Sequence, residues 1–169
     1  MTNNYFMFVG LPASGKSTHR KKLIKEFASI GCPVVVASSD DHIEEYAQTN
    51  QTTYNQAFNE FAKYATKEMH KDIDLAFKMN IDLIHDQTNI TIKKRKACLD
   101  AVPEGWMKFA IVFDVPDDKL DIWDIRLKSR PGKVIPDNII QNMQLSYEPV
   151  AENEGFDMII HVNSFEEIG

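Results

Sequence analysis

The sequence predicts an α/β fold, with one parallel five-stranded sheet and helices on both of its faces. Three observations carry this. Short apolar runs rich in β-branched and aromatic residues occur five times, at 5–9, 34–37, 81–85, 108–114 and 158–162. Segments with apolar residues at three-to-four spacing lie between them, and strands alternating with helices need right-handed crossovers that make the sheet parallel. The length, 169 residues, suits one domain with a single core, since a chain near 150 residues buries about 70% of its unfolded surface. No repeat, low-complexity stretch or linker divides it, so residues 1–169 are read as one domain.

Each element has its own reason. Tyr5–Val9 is an unbroken apolar run ending at Gly10, the pattern of a strand covered on both faces. A helix follows from about Lys16, with Leu23, Ile24, Phe27 and Ile30 at helical spacing and Gly31 in the stop position. Val34–Ala37 is the second strand. Residues 53–79 read as a long helix with Tyr54, Phe58, Phe61, Ala65, Met69, Ile73 and Phe77 on one stripe. After the strand at 81–85, Thr91 caps a basic helix reaching about Ala101. The strand at 108–114 is the most apolar in the chain. Leu120, Trp123 and Leu127 suggest a helix leading into an arginine-rich segment. Pro136 opens a short helix, because its missing N–H costs nothing in a first turn. The strand at 158–162 completes the set.

Composition narrows the function classes. At 43% hydrophobic and 26% charged residues the chain is globular rather than disordered. Its longest apolar runs fall well short of the ~20 residues that cross a bilayer. The start, MTNNYF, has no basic region and no apolar stretch, so no signal peptide is expected and a cytoplasmic location is (the host cytoplasm for a phage-encoded chain). Cys32 and Cys98 have no ligand spacing and read as two buried thiols in a reducing compartment. The formal charge of -6 speaks against a broad nucleic-acid coat, yet it is unevenly placed. Residues 1–30 carry five cations against Glu26, whereas 137–169 hold seven acids and no Lys or Arg. Two further basic patches occur, Lys93-Lys94-Arg95-Lys96 and the segment Arg126, Lys128, Arg130, Lys133.

Gly10-Leu11-Pro12-Ala13-Ser14-Gly15-Lys16-Ser17-Thr18 satisfies G-x-x-x-x-G-K-[ST]. Glycines let the backbone turn so that N–H groups point inward at phosphate oxygens. The following helix adds its N-terminal partial charge. Lys16 reaches the β- and γ-phosphates and the Ser17 hydroxyl ligates Mg²⁺. The motif lies between a predicted strand and a predicted helix, as it must, so ATP or another nucleoside triphosphate is the expected ligand.

In open parallel sheets, ligands bind beyond the carboxyl ends of the strands. Asp40-Asp41 follow the second strand and Asp86 the third. A carboxylate there can belong to the Mg²⁺ shell, accept a proton from an attacking hydroxyl, or simply cap the next helix. Asp40 is the preferred site residue and Asp41 the preferred cap; Glu44 and Glu45 read as solvated helix charges, and His42 and His85 as structural. The segment Arg126-Leu127-Lys128-Ser129-Arg130-Pro131-Gly132-Lys133 has four cations and no acid, with a helix-breaking Pro-Gly. Arginines carried on a closing lid would stabilise charge on a phosphoryl group in transfer.

GLPASGKST, SSDDHIEEY, IHDQTNIT with a basic helix after it, and FDVP leading to RLKSRPGKVIP occur in that order. Together they resemble 5′-polynucleotide kinases, in particular the kinase domain of the bacteriophage form. The likeness runs from about Tyr5 to Met143. It implies a P-loop kinase fold with an arginine-bearing lid at about 117–135, Asp40 as general base on the 5′-hydroxyl, and Arg126 and Arg130 on the transferring phosphate. It also implies an acceptor-side set of Asp86, Thr88 and Asn89. The phage form is one residue shorter there, and Asp86 is favoured over Gln87 because Gln carries no charge. One departure stands out: the phage form has an arginine three residues after its base, where this chain has Ile43. An aliphatic side chain cannot hydrogen-bond a phosphate, so Lys93 and its helix are the expected substitute. No 3′-phosphatase domain of the kind the phage form carries is expected.

The expected function is therefore ATP- and Mg²⁺-dependent phosphorylation of a nucleic-acid 5′ end, with no membrane partner and an open oligomeric state. The alternatives are a kinase for another hydroxyl, on a nucleoside, nucleotide, modified DNA base or small molecule, and a nucleotide-binding ATPase that is not a kinase.

Overall fold

The computed structural model describes residues 2–165. Its elements in chain order are β1 (Asn4–Val9), α1 (Lys16–Ser29), β2 (Val34–Ala37), α2 (Ser39–Thr49), α3 (Tyr54–Met79), β3 (Asp82–His85), α4 (Ile92–Leu99), β4 (Met107–Phe113), α5 (Leu120–Lys128), α6 (Asp137–Leu145) and β5 (Met158–Val162). The five strands form one sheet in the order β2-β3-β1-β4-β5, and every pairing is parallel. The expected α/β fold, one parallel five-stranded sheet with helices on both faces, is what the chain adopts.

Strand alternation divides the core. Tyr5, Met7 and Val9 join Leu83, Ala110 and Val112 on one face, beneath α3 and α4, with Trp106 and Leu99. Phe8, Ile84, Ile111 and Phe113 occupy the other face, where Leu23 and Ile24 of α1 pack on them. The long amphipathic pattern at 53–79 is realised as α3. Thr53 and Gln56 form a reciprocal capping box at its start, and Asn80 takes the left-handed conformation at its end. Against α3, α2 builds a separate cluster around Ile43, Ala47, Ala57 and Ala65. Thr91 caps α4 as expected, accepting from the Lys94 N–H.

Several details differ from the sequence reading. Ser38, not Asp41, caps α2: its hydroxyl accepts from the Asp41 N–H at 3.3 Å. Pro136 stands one position ahead of α6 at the N-cap, with extended backbone. Cys32 is exposed and Cys98 half-buried, so neither thiol is fully enclosed. The basic helix α4 is not uniformly solvated, because Arg95 is completely buried. Its guanidinium pairs with Glu154 at 2.6 and 2.7 Å and also donates to the Asn89 and Pro149 carbonyls. The acid-rich C-terminal stretch thereby acquires a role. Glu148 accepts from the Ile92 N–H at the start of α4, Glu154 neutralises Arg95, and Asp157 accepts from the Lys108 N–H on β4. Glu166 and Glu167 lie outside the described residues. No helix among the described residues is long and apolar enough to cross a membrane.

Candidate phosphoryl-transfer site

The loop between β1 and α1 is shaped by backbone constraints that only certain residues meet. A Cβ on Gly10 would stand 2.8 Å from Ser14 Oγ and 2.9 Å from the Phe113 carbonyl oxygen, so the strand can turn here only as glycine. Gly15, with φ of 102°, is the N-cap of α1, and a side chain there would overlap Ser164. Ala13 also adopts positive φ, at 60°. Pro12 is buried and its carbonyl accepts from the Trp123 indole N–H at 2.7 Å. No side chain caps α1 and its first turn contains no acid. The N–H groups of such a helix start are a ready anion site. Ser17 and Thr18 are exposed at that start, where Ser17 could hold a Mg²⁺ ion.

Lys16 folds back on the loop, its ammonium donating to the Gly10 and Leu11 carbonyls at 2.8 and 2.7 Å. Burial lowers its pKa to about 8, against the pull of Asp86 and Asp40. These two carboxylates face the loop from the ends of β3 and β2. Asp86 is buried. Burial, with Asp41 and Asp40 nearby, raises its pKa despite Arg20 and Lys16.

Asp40 sits in the first turn of α2. One of its oxygens accepts from the Tyr54 hydroxyl at 2.7 Å and the other from the Lys133 ammonium. Burial pushes the Asp40 carboxyl up, but Lys133, the Tyr54 hydrogen bond and Arg130 together outweigh it and hold the group below the usual carboxylate value. The Tyr54 hydroxyl is pushed well above its ordinary range by burial and by Asp40.

The other expected site residues separate into groups. Arg130 brings its charge to Lys16, Asp40 and Tyr54. Arg126 does not join it. Its guanidinium donates to the Ser164 carbonyl at 3.0 Å and lies 4.2 Å over the Phe165 ring. The expected arginine pair is split because α5 ends at Lys128, so Arg130 leaves the helix while Arg126 stays on it. Thr88 contributes its carbonyl, accepting from the Gly10 N–H at 2.9 Å. Asn89, of the acceptor-side set, is fully buried with φ of 46°; its side-chain amide donates to the Phe8 carbonyl at 2.9 Å, tying it to β1, and its amide oxygen has no partner among the described residues. Lys93 is exposed on α4.

Three residues of the site had no assigned role in the sequence reading. Arg20 bridges Asp41 and Asp86 at 2.9 Å each; lying one helical turn after Lys16, it shares that face of α1, a spacing that points to it. Tyr54 was visible only as part of an apolar stripe. Lys133 was one cation among four in the lid. Its partner lies 93 positions away, and no local signal announces the pair.

The loop and the carboxylates beside it define a nucleotide-binding α/β protein of the P-loop kind. The sequence profile described as AAA domain matches residues 6–150, and the chain belongs to that family. No curated protein sequence matches the chain. Solved structures do. A putative kinase from Chloroflexus aurantiacus superposes with a TM-score of 0.66 at 14% identity, covering 99% of this chain and 89% of that one. A sugar kinase from Janibacter sp. gives 0.62 at 14% identity, with 95% and 85% covered. A chain of the Pnkp1/Rnl/Hen1 RNA repair complex gives 0.61 at 20% identity, with 90% of this chain covered but 49% of that one. The chain thus spans about half of the RNA-repair protein it resembles. At these identities the likeness is one of fold.

Proposed function

We propose that the protein is an ATP-dependent kinase that phosphorylates a hydroxyl group, with the 5′-hydroxyl of a DNA or RNA end as the acceptor. The observation that carries the reading is Asp40, a carboxylate facing the loop lysine Lys16 and the lid arginine Arg130. Loop N–H groups and Lys16 bind the β- and γ-phosphates, and the glycine-only turn at Gly10 fits a phosphate cradle. Asp40 accepts the proton of the acceptor hydroxyl, whose oxygen forms the new bond to phosphorus as the bond to the β–γ bridging oxygen breaks and ADP leaves. Arg130 offsets the charge on the phosphoryl oxygens during transfer. Ser17 would hold Mg²⁺, which when bound neutralises β- and γ-phosphate charge.

The polynucleotide acceptor rests on the order of motifs, and on the exposed Lys93 and Lys94 of α4 as a grip for a strand. A second reading has a specific observation in its favour. Ile43 is buried, and Glu44 lies 3.3 Å from the Lys133 ammonium, so the surroundings of Asp40 also suit a small uncharged polyhydroxyl acceptor. A labelled-phosphate transfer screen across 5′-hydroxyl DNA, RNA, nucleosides and sugars tests both. Transfer to oligonucleotide ends, lost at least ~10²-fold in Asp40→Asn with ATP binding retained, is the expected result. Transfer only to small polyols would establish the second reading, and acceptor-independent ADP release would remove the kinase.

A further inference from the structure

Lys133 is a buried lysine whose ammonium touches Asp40 and, at 3.3 Å, Glu44. It lies 4.1 Å over the ring of Tyr54, the residue that donates to the other Asp40 oxygen. Both oxygens of the carboxylate are therefore engaged, from two different directions. Lys and Glu or Asp are rarely buried unless paired, and a lysine enclosed beside a site carboxylate is more than a surface charge. Its backbone matters as well. The Lys133 N–H donates to the Arg130 carbonyl at 3.3 Å across Pro131-Gly132, with Gly132 in the left-handed region at φ of 68°. Arg130 and Lys133 are thus the two ends of one tight turn.

We propose that Lys133 is the positioning residue of the Asp40 carboxylate, and that the turn it shares with Arg130 makes placement of the phosphate-facing arginine and orientation of the base one event. The inference rests on the kinase reading above and adds to it a residue that acts through Asp40. Because the two cations share a turn, a lid that is not seated leaves Asp40 held by Tyr54 alone.

The charged and titratable groups facing Asp40 come from every neighbouring element: Lys16 of α1, Glu44 of α2 itself, Tyr54 of α3, Asp86 at the end of β3, and Arg130 with Lys133 from the lid. Of these, Lys133 and Tyr54 make direct hydrogen bonds to the carboxylate. Removing the Lys133 charge moves the Asp40 midpoint upward, so the acid limb of the rate profile moves to higher pH.

The test compares wild type with Lys133→Met and Lys133→Arg. In Lys133→Met, kcat falls ~10-fold or more while KM for ATP changes less than twofold, and the acid limb shifts up. Lys133→Arg recovers part of the rate and keeps the limb in place. Carboxyl-carbon NMR titration of Asp40 in the ligand-free protein gives the second readout, with a raised midpoint in Lys133→Met. Should Lys133→Met not fold, Lys133→Gln, which retains a donor without charge, replaces it in both measurements. An unmoved Asp40 midpoint with kcat unchanged overturns the proposal. A rate loss matched by loss of ATP binding does so too. The NMR titration needs no acceptor, so a protein that transfers phosphate to no hydroxyl, yet shows the shifted midpoint, would sink the kinase reading and leave the Asp40–Lys133 pairing standing.

Discussion

Arg20 and Asp86 join the phosphate-loop helix to the end of β3 through a 2.9 Å ion pair, with both side chains largely enclosed. The other nitrogen of the same guanidinium holds Asp41. Two carboxylates beside a triphosphate site would repel each other and the ligand. One arginine lying between them lets both stay near the loop.

Arg20→Ala should accordingly destabilise the protein by about 3 kcal/mol, the lower end for breaking a buried pair, since it strands the Asp86 charge. Asp41 is 44% exposed and contributes little. Urea unfolding checks the value, and Arg20→Ala combined with Asp86→Asn should lose less than the single Arg20 change. A loss below ~0.5 kcal/mol for Arg20→Ala, within the range of ordinary surface changes, would mean that water already satisfies Asp86.

Lys16→Ala should abolish phosphoryl transfer. The lowered pKa of Lys16, about 8, adds a pH dependence. Above that value the ligand-free lysine is largely neutral, and an approaching triphosphate favours the charged form. Binding then takes up a proton, and affinity falls as pH rises through and beyond 8. Titration calorimetry at pH 9 in buffers of different ionisation enthalpy reads the proton directly. Equal apparent enthalpies in all buffers would contradict it.

The buried Arg95–Glu154 pair predicts a stability effect without a direct catalytic one. Glu154→Gln leaves a fully enclosed guanidinium short of its counter-charge and should cost about 3–5 kcal/mol. Burial raises the Glu154 carboxyl, but hydrogen bonds from Arg95 and the Ala151 N–H hold it below its ordinary value. The stabilisation is therefore complete above the usual glutamate range and lost as pH falls through the lowered value. A Glu154→Gln variant no less stable than the wild type at pH 7 would refute it.

Exposed Lys93, Lys94 and Lys96 offer a salt-sensitive test of a strand acceptor. Changing all three to Ala should raise KM for an oligonucleotide and flatten its salt dependence, with kcat little altered. Arg95 must be left in place, since it is part of the core. An unchanged salt slope would point to a small acceptor instead.

The parts of this protein legible in its sequence are those in which neighbours along the chain decide the outcome. Five apolar runs, the alternation of strands and helices, the Thr91 cap and the loop from Gly10 to Thr18 all depend on spacing within a few residues. Asp40 could be placed at a strand end because the end of β2 is itself local. What stayed hidden depends on contacts across the fold. Lys133 and Asp40, Arg126 and Ser164, and Arg95 and Glu154 are each separated by 38 residues or more, and nothing in either segment names its partner. Arg126 and Arg130, four positions apart, part for a related reason: α5 stops between them and Arg126 finds its partner after β5. Asn89 shows the converse, where a motif residue turns out to serve the backbone of β1.

The contact of Ser164 with the loop has a consequence for any exchange of parts between relatives. Its hydroxyl donates to the Ser14 carbonyl, its own carbonyl receives Arg126, and its side chain fills the space that Gly15 leaves. Donor loop, lid helix and the residues after β5 are consequently cut to one another's shape. Replacing α5 without the residues after β5 should leave Arg126 without its carbonyl partner. In this chain the three pieces have to change together.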